Sequence, residues 1–222
     1  MDQPRHQIAW REGGVPVSQL FDDPFYSLED GLAETRHVFL TGNGLPDRFR
    51  PGFHIAELGF GTGLNLVAAA LAWDASGTNG PLRFTSFEAF PLAGAEARAA
   101  LAAFPEAAPY ADAIAAALDG DGRIETPTLS ARIVFGDARA TVPAWDDQAD
   151  AWFLDGFAPA RNPELWEPAL LRAVAAHTAP GGTCATYSAA GHVRAALAAA
   201  GFTVDRIPGY GRKRHMTKGR RP

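Results

Sequence analysis

The stretch "IAELGFGTGLNL", residues 55–66, constrains this chain more than any other. A short apolar run reaches the acid Glu57, then Gly59, Gly61 and Gly63 follow at alternate positions, and a helical pattern opens at about Leu64. Glycine has no Cβ, so backbone built from it lets a ligand approach closely. Between a first strand and a first helix, such a loop marks the nucleotide crevice of an open α/β sheet. The dinucleotide fingerprint G-x-G-x-x-G does not fit, because its sixth position falls on Leu64.

The rest of the chain agrees with that architecture. After residue 50, apolar strand patterns alternate with helical ones, as in a parallel sheet covered by helices. Strands are expected at Phe53–Leu58, Leu82–Glu88, Arg132–Phe135, Ala151–Asp155, Thr183–Ser188 and Thr203–Ile207, with a short seventh near Met216. Helices are expected at 64–73, 93–103, 164–177 and 190–200, and the alanine-rich run 111–117 is also helix-forming. Residues 1–50 mix aromatics, acids and turn formers, which predicts an arm with a short hairpin and a helical piece packed on a main domain at 51–222. Phe21, Phe25 and Tyr26 read as anchors of that arm; Glu34 and Arg36 could face a cleft, against the plainer reading of an exposed ion pair.

Composition removes several classes. With 222 residues and 47% hydrophobic content, the chain fits one domain with a substantial core. No apolar run approaches the roughly 20 residues that span a bilayer, and the opening "MDQPRHQIAW" lacks a basic start with an apolar block, so no secretory signal is expected. The single cysteine, Cys184, and six scattered histidines give no metal-ligand spacing, so no metal is expected and a cytoplasmic setting is the default. Charge is uneven: residues 212–221, "RKRHMTKGRR", hold six of the 20 basic residues and no acid, while the remainder carries 14 basic against 25 acidic residues. A basic end on an acidic body suggests an anionic partner, against the plainer reading of a solvated terminus.

Acids close three further strands. Glu88 follows the second strand, where a carboxylate can accept ribose hydroxyl protons. Asp137 follows the third, where the adenine amino group can be received. Asp155 ends the fourth, and "GFAP" follows it. For Glu88 and Asp137 the plain alternative is a surface acid, and for Asp155 it is the N-cap of the next helix. Read together, the strand ends face one edge of the sheet. The glycine pattern, E-x-G-x-G-x-G, is similar to that of S-adenosylmethionine-binding methyltransferases. Asp155 would then lie beside the sulfonium, able to hold a neutral amine or to take its proton, directly or through water. Gly156 permits close approach, Phe157 offers a face, and Pro159 stiffens the loop.

"AELGFGTGLN", "FEAFPL", "DAWFLDGFAPARNPELW", "TYSAAGHVRAALAAAGF" and "GYGRKRHM" together resemble the tRNA wobble-uridine methyltransferases of the MnmC N-terminal-domain type. The opening "FDDPFYSLEDGLAETRHVFLTGNGL" fits that family's arm, so the likeness runs over nearly the whole chain. It implies an α/β, Rossmann-like class I methyltransferase with a mostly parallel seven-stranded sheet flanked by helices, and S-adenosyl-L-methionine as cofactor. It implies methylation of the aminomethyl nitrogen of 5-aminomethyl-2-thiouridine in tRNA. Carried over by matched motif, Glu57, Gly59, Phe60, Gly61, Gly63, Asn65, Glu88, Asp137, Asp155 and Gly156 are expected at the cofactor. Asp155 and Phe157 are expected at the chemistry, and Phe157, Ala158 and Pro159 at the substrate. Arg212, Lys213 and Arg214 are expected at phosphates. Trp166 reads as core. Two-domain members carry a flavin oxidoreductase domain that prepares the amine. No second nucleotide fingerprint follows here, so a separate enzyme is expected to supply the aminomethyl uridine.

Two other readings stay open at this level. One is a small-molecule N-methyltransferase or an aminopropyltransferase, which would act without RNA. The other is a non-catalytic RNA-binding module, which would move no methyl group.

Overall fold

A computed structural model of the protein describes residues 5–11, 14–27 and 30–222. Residues 1–4, on which the expectation of no leader partly rests, lie outside them. Three short strands come first: β1 (Ile8–Arg11), β2 (Val15–Ser18) and β3 (Asp23–Pro24), antiparallel in that order. A five-residue helix, α1 (Gly31–Thr35), opens on Asp30, whose carboxylate accepts the Ala33 N–H. The chain continues through a π-helical turn, Arg36–Leu40, and a 3-10 turn, Thr41–Asn43. Leu32, Val38, Phe39 and Leu40 are buried in the same apolar cluster as one face of the main sheet.

The alternating part follows. Strand β4 (His54–Leu58) leads into α2 (Leu64–Ser76), β5 (Leu82–Glu88), α3 (Gly94–Leu101) and α4 (Ala108–Asp119). Then come β6 (Arg123–Glu125), β7 (Leu129–Phe135), α5 (Ala138–Thr141), β8 (Ala149–Leu154) and α6 (Pro168–Ala176). The chain ends with β9 (Thr178–Thr186), α7 (Gly191–Ala199), β10 (Thr203–Pro208) and β11 (His215–Arg220). The sheet order is β10-β11-β9-β8-β4-β5-β7-β6. The four pairings from β9 through β8, β4 and β5 to β7 are parallel, and those of β6, β10 and β11 are antiparallel.

Two departures from the sequence expectation have local causes. Among the described residues, the sheet has eight strands, because β6 adds an antiparallel edge to the expected seven. In "RIE" only Ile124 is buried, too little apolar pattern to read in the sequence. The helix expected over 164–177 is divided into a 3-10 turn, Pro163–Trp166, and α6. Glu167 is extended (φ −62°, ψ 139°), because the ring of Pro168 disfavours helical backbone in the residue before it.

Side chains of β8 alternate across the sheet, as the two-residue strand period requires. Ala151 and Phe153 enter the core on the α1–α4 side, and Trp152 and Leu154 the core shared with α6 and α7. Phe153 is fully buried and packs against Phe39 (ring centroids 5.3 Å apart) and Phe84 (6.2 Å). It joins the N-terminal segment to the sheet. Phe153→Ala should therefore cost about 3–5 kcal/mol of folding stability, read as a lowered midpoint in urea unfolding.

Candidate active site

Strands β4, β5, β7 and β8 run in one direction and end level. Leu58 stands opposite Phe87 and Leu154, and Glu88 opposite Phe135. Connections leave β4 to one side and β8 to the other, which opens a crevice at their carboxyl ends. A cleft of about 1070 Å³ lies there, walled by the glycine loop, Glu88, Asp137, the 155–158 loop and the N-terminal arm.

The glycine loop and the Asp155 loop touch through their backbones. Gly59 has φ +82°, and a Cβ on it would lie 2.8 Å from the carbonyl oxygen of Asp155. Its N–H donates to the Phe87 carbonyl at 2.9 Å. Only glycine combines that left-handed backbone with that approach. Phe60, Gly61 and Asn65 also line the cleft, whereas Gly63 sits behind it as the left-handed cap of α2.

Asn65, on the first turn of α2, organises the acids. Its Nδ2 donates to Glu57 Oε1 (2.8 Å) and to Asp155 Oδ2 (2.7 Å), and its Oδ1 accepts from Thr35 Oγ1 (3.0 Å). Ser86 Oγ donates to the other Glu57 oxygen at 2.6 Å. Glu57 is fully buried and is not part of the cleft wall. Burial pushes its pKa well up. Among the residues expected at the cofactor, Glu57 therefore stands one layer back, hydrogen-bonded to Asn65.

Asp155 faces the cleft. Burial raises its pKa to about 6, against the pull of the hydrogen bonds from Asn65 and from the Gly156 N–H (2.9 Å). Glu88 is buried rather than the surface acid of the plain reading. Its two oxygens accept the Gly61 N–H (3.0 Å) and the Phe90 N–H (2.8 Å), and burial raises its pKa. Asp137 lies at the rim as the N-cap of α5, with its carboxylate held by the Arg139 side chain and N–H, which lowers its pKa.

The loop after Asp155 differs from the expectation in one respect. Phe157 borders the cleft, but most of its ring is covered. It is buried, stacked on Phe21 (4.8 Å, 27°) and edge-on to Phe25 (5.2 Å) and His6 (5.6 Å). The arm residues cover it, because aromatic rings packed together lose less to water than rings left apart. The arm also fixes the loop by hydrogen bonds. Asp23 accepts the Ala158 N–H (2.9 Å), and Arg161 donates to Asp22 (2.7 Å). Trp166, buried as expected, donates to the Phe157 carbonyl (3.1 Å). Ala158 lines the cleft and Pro159 does not.

Tyr187 and Glu34 also belong to the cleft. Tyr187 lines the cleft and donates through Oη to the Gly156 carbonyl at 2.6 Å. Its one signal was its position directly after β9. For Glu34 the sequence leaves two readings, a cleft residue or half of an exposed pair with Arg36, and the structure places it at the cleft. Its side chain is only 13% exposed and paired with Lys213 at 2.7 Å. Of the three basic residues expected at phosphates, Arg212 and Lys213 border the cleft and Arg214 does not.

Curated relatives share most of this chain. It is 44% identical over 96% of its length to the tRNA 5-methylaminomethyl-2-thiouridine biosynthesis bifunctional protein MnmC of Pseudomonas aeruginosa, and 44% identical over 97% to that of Caulobacter vibrioides. It spans only 34% and 38% of those two proteins. The crystal structure of MnmC2 from Aquifex aeolicus superposes with a TM-score of 0.74 at 27% identity, covering 98% of this chain and 71% of that one. The left-handed Gly59 lets the glycine loop and the Asp155 loop meet backbone to backbone at the floor of the cleft, and a Cβ there would push them apart. Gly59→Ala should therefore weaken S-adenosylmethionine binding by roughly tenfold or more through backbone strain, measured by calorimetry. A family model described as S-adenosyl-L-methionine-dependent methyltransferase matches residues 103–222, more than half of the chain, and the protein belongs to that family.

Proposed function

We propose that this chain transfers a methyl group to the aminomethyl nitrogen of 5-aminomethyl-2-thiouridine at the tRNA wobble position, giving the 5-methylaminomethyl form. The observation that carries the reading is Asp155, a cleft-facing carboxylate whose pKa lies near 6, anchored to the glycine loop through Asn65. The relatives' name, which specifies biosynthesis of that nucleoside, supports it. The aminomethyl group must already stand on the uridine when this step begins. No helix of the described residues is long and apolar enough to cross a membrane, and a cytoplasmic setting suits a tRNA substrate.

S-adenosylmethionine supplies an already activated methyl group. The chain's work is therefore alignment and proton handling. Gly59, Phe60, Gly61 and Gly156 let backbone approach the cofactor, Glu88 receives ribose hydroxyls, and Asp137 receives the adenine amino group. Asp155 holds the neutral amine or takes its proton. Glu57 and Asn65 fix Asp155, Ala158 shapes the entrance, and Pro159 stiffens the loop from behind the cleft wall. Phe157 contributes by carrying the loop on the arm. Arg212 and Arg214 bind tRNA phosphates, so affinity falls with salt; each replaced by alanine reduces the logarithmic salt slope by about one.

The first test is labelled methyl transfer to tRNA from cells lacking this activity, followed by nucleoside mass analysis. A single methyl gained on the aminomethyl thiouridine is expected. Absence of transfer by a protein that still binds cofactor would favour a small-molecule acceptor. Asp155→Asn should lower kcat/KM by about 10²–10⁴ with cofactor affinity retained. Asp155 works as a carboxylate, so kcat/KM should rise as pH passes upward through about 6. Asn65→Ala removes a donor that favours the charged form, so that rise should move to higher pH in the pH–rate profile.

A further inference from the structure

The turn between β10 and β11 carries Lys213, which points back into the cleft. Its Nζ donates to Glu34 Oε1 at 2.7 Å and stands 4.3 Å from the centroid of the Tyr187 ring. These are the two interactions that hold an alkylammonium best in a partly dry site: a charge-assisted hydrogen bond and an aromatic face. The ring is fixed by its hydrogen bond to the Gly156 carbonyl, one residue from Asp155. Burial, then the charges of Asp155, Asp23 and Glu34, push the Tyr187 phenol pKa up, so three carboxylates surround this ring. Asp155 in turn feels both Lys213 and Glu34.

An amine acceptor reaches the enzyme mainly as an ammonium, since unperturbed primary alkylamines titrate at about 10. Its –CH₂–NH₃⁺ group is chemically the end of a lysine side chain. We propose that the Glu34 carboxylate and the Tyr187 face form the subsite for the acceptor's ammonium, which Lys213 occupies as an internal stand-in until substrate displaces it. The inference rests on the amine-methylation reading and deepens it. Glu34 and Tyr187 select a cationic acceptor and deliver it beside Asp155. Glu34 is then a specificity residue, and Lys213 a competitor for the same place.

The test compares two probes by calorimetry with the full chain: the nucleoside 5-aminomethyl-2-thiouridine and its 5-hydroxymethyl counterpart, which has similar size and no charge. The wild type is expected to prefer the amine. E34Q should reduce that preference by about tenfold or more and leave hydroxymethyl binding unchanged. K213M should tighten binding of the amine several-fold and leave the hydroxymethyl nucleoside unaffected. Equal binding of both probes by the wild type, preference retained in E34Q, or weaker amine binding in K213M would overturn the proposal. Should E34Q fail to fold, K213M on the cleft rim decides alone. If tRNA is not methylated while the preference and its loss in E34Q are both seen, the wobble-uridine reading falls and the ammonium subsite stands.

Discussion

One side-chain amide holds the site together. Asn65 gives hydrogen bonds to Glu57 at the end of β4 and to Asp155 after β8, two carboxylates on adjacent strands. Without it they would repel across a dry space, and the charge of Asp155 already adds to the upward pKa shift of Glu57. Hydrogen bonds to charged groups contribute about 1.5–3 kcal/mol each. Ser86 brings β5 into the same network and Thr35 brings α1. The glycine loop, the acid that faces the cleft and the N-terminal segment are thus registered against one another through a single residue.

The arm does for the Asp155 loop what Asn65 does for its carboxylate. A proline alone limits one backbone angle. Here Asp23 binds the Ala158 N–H, Arg161 reaches Asp22, and Phe21 and Phe25 enclose Phe157. The loop's shape is imposed from outside by a three-stranded sheet that belongs to the first 24 residues. A catalytic loop built this way loses its geometry if the arm detaches, even though the main sheet is untouched.

How far the site was legible depended on sequence distance. The glycine loop and the strand-end acids were readable because strand period, glycine spacing and turn chemistry are local. The break before Pro168 was written in the Glu167–Pro168 dipeptide and was passed over because the apolar helical pattern runs across it. The Glu34–Lys213 pair joins residues 179 positions apart, and no local pattern announces it. The covering of Phe157 likewise needs partners from the other end of the chain. Such contacts are decided by which surfaces meet when the sheet closes.

The order of strands at the other edge has a temporal consequence. Strand β11, the last of the described strands, is inserted between β9 and β10. Until Thr217 and its neighbours have left the ribosome, β9 lacks one partner and β10 has no place in the sheet. Pairings that bridge such separations are slow to form. The turn bearing Lys213 can therefore reach its place beside Glu34 only once β11 has emerged. The glycine loop, made from β4 and α2, is thus available to a nascent chain well before a complete acceptor site is.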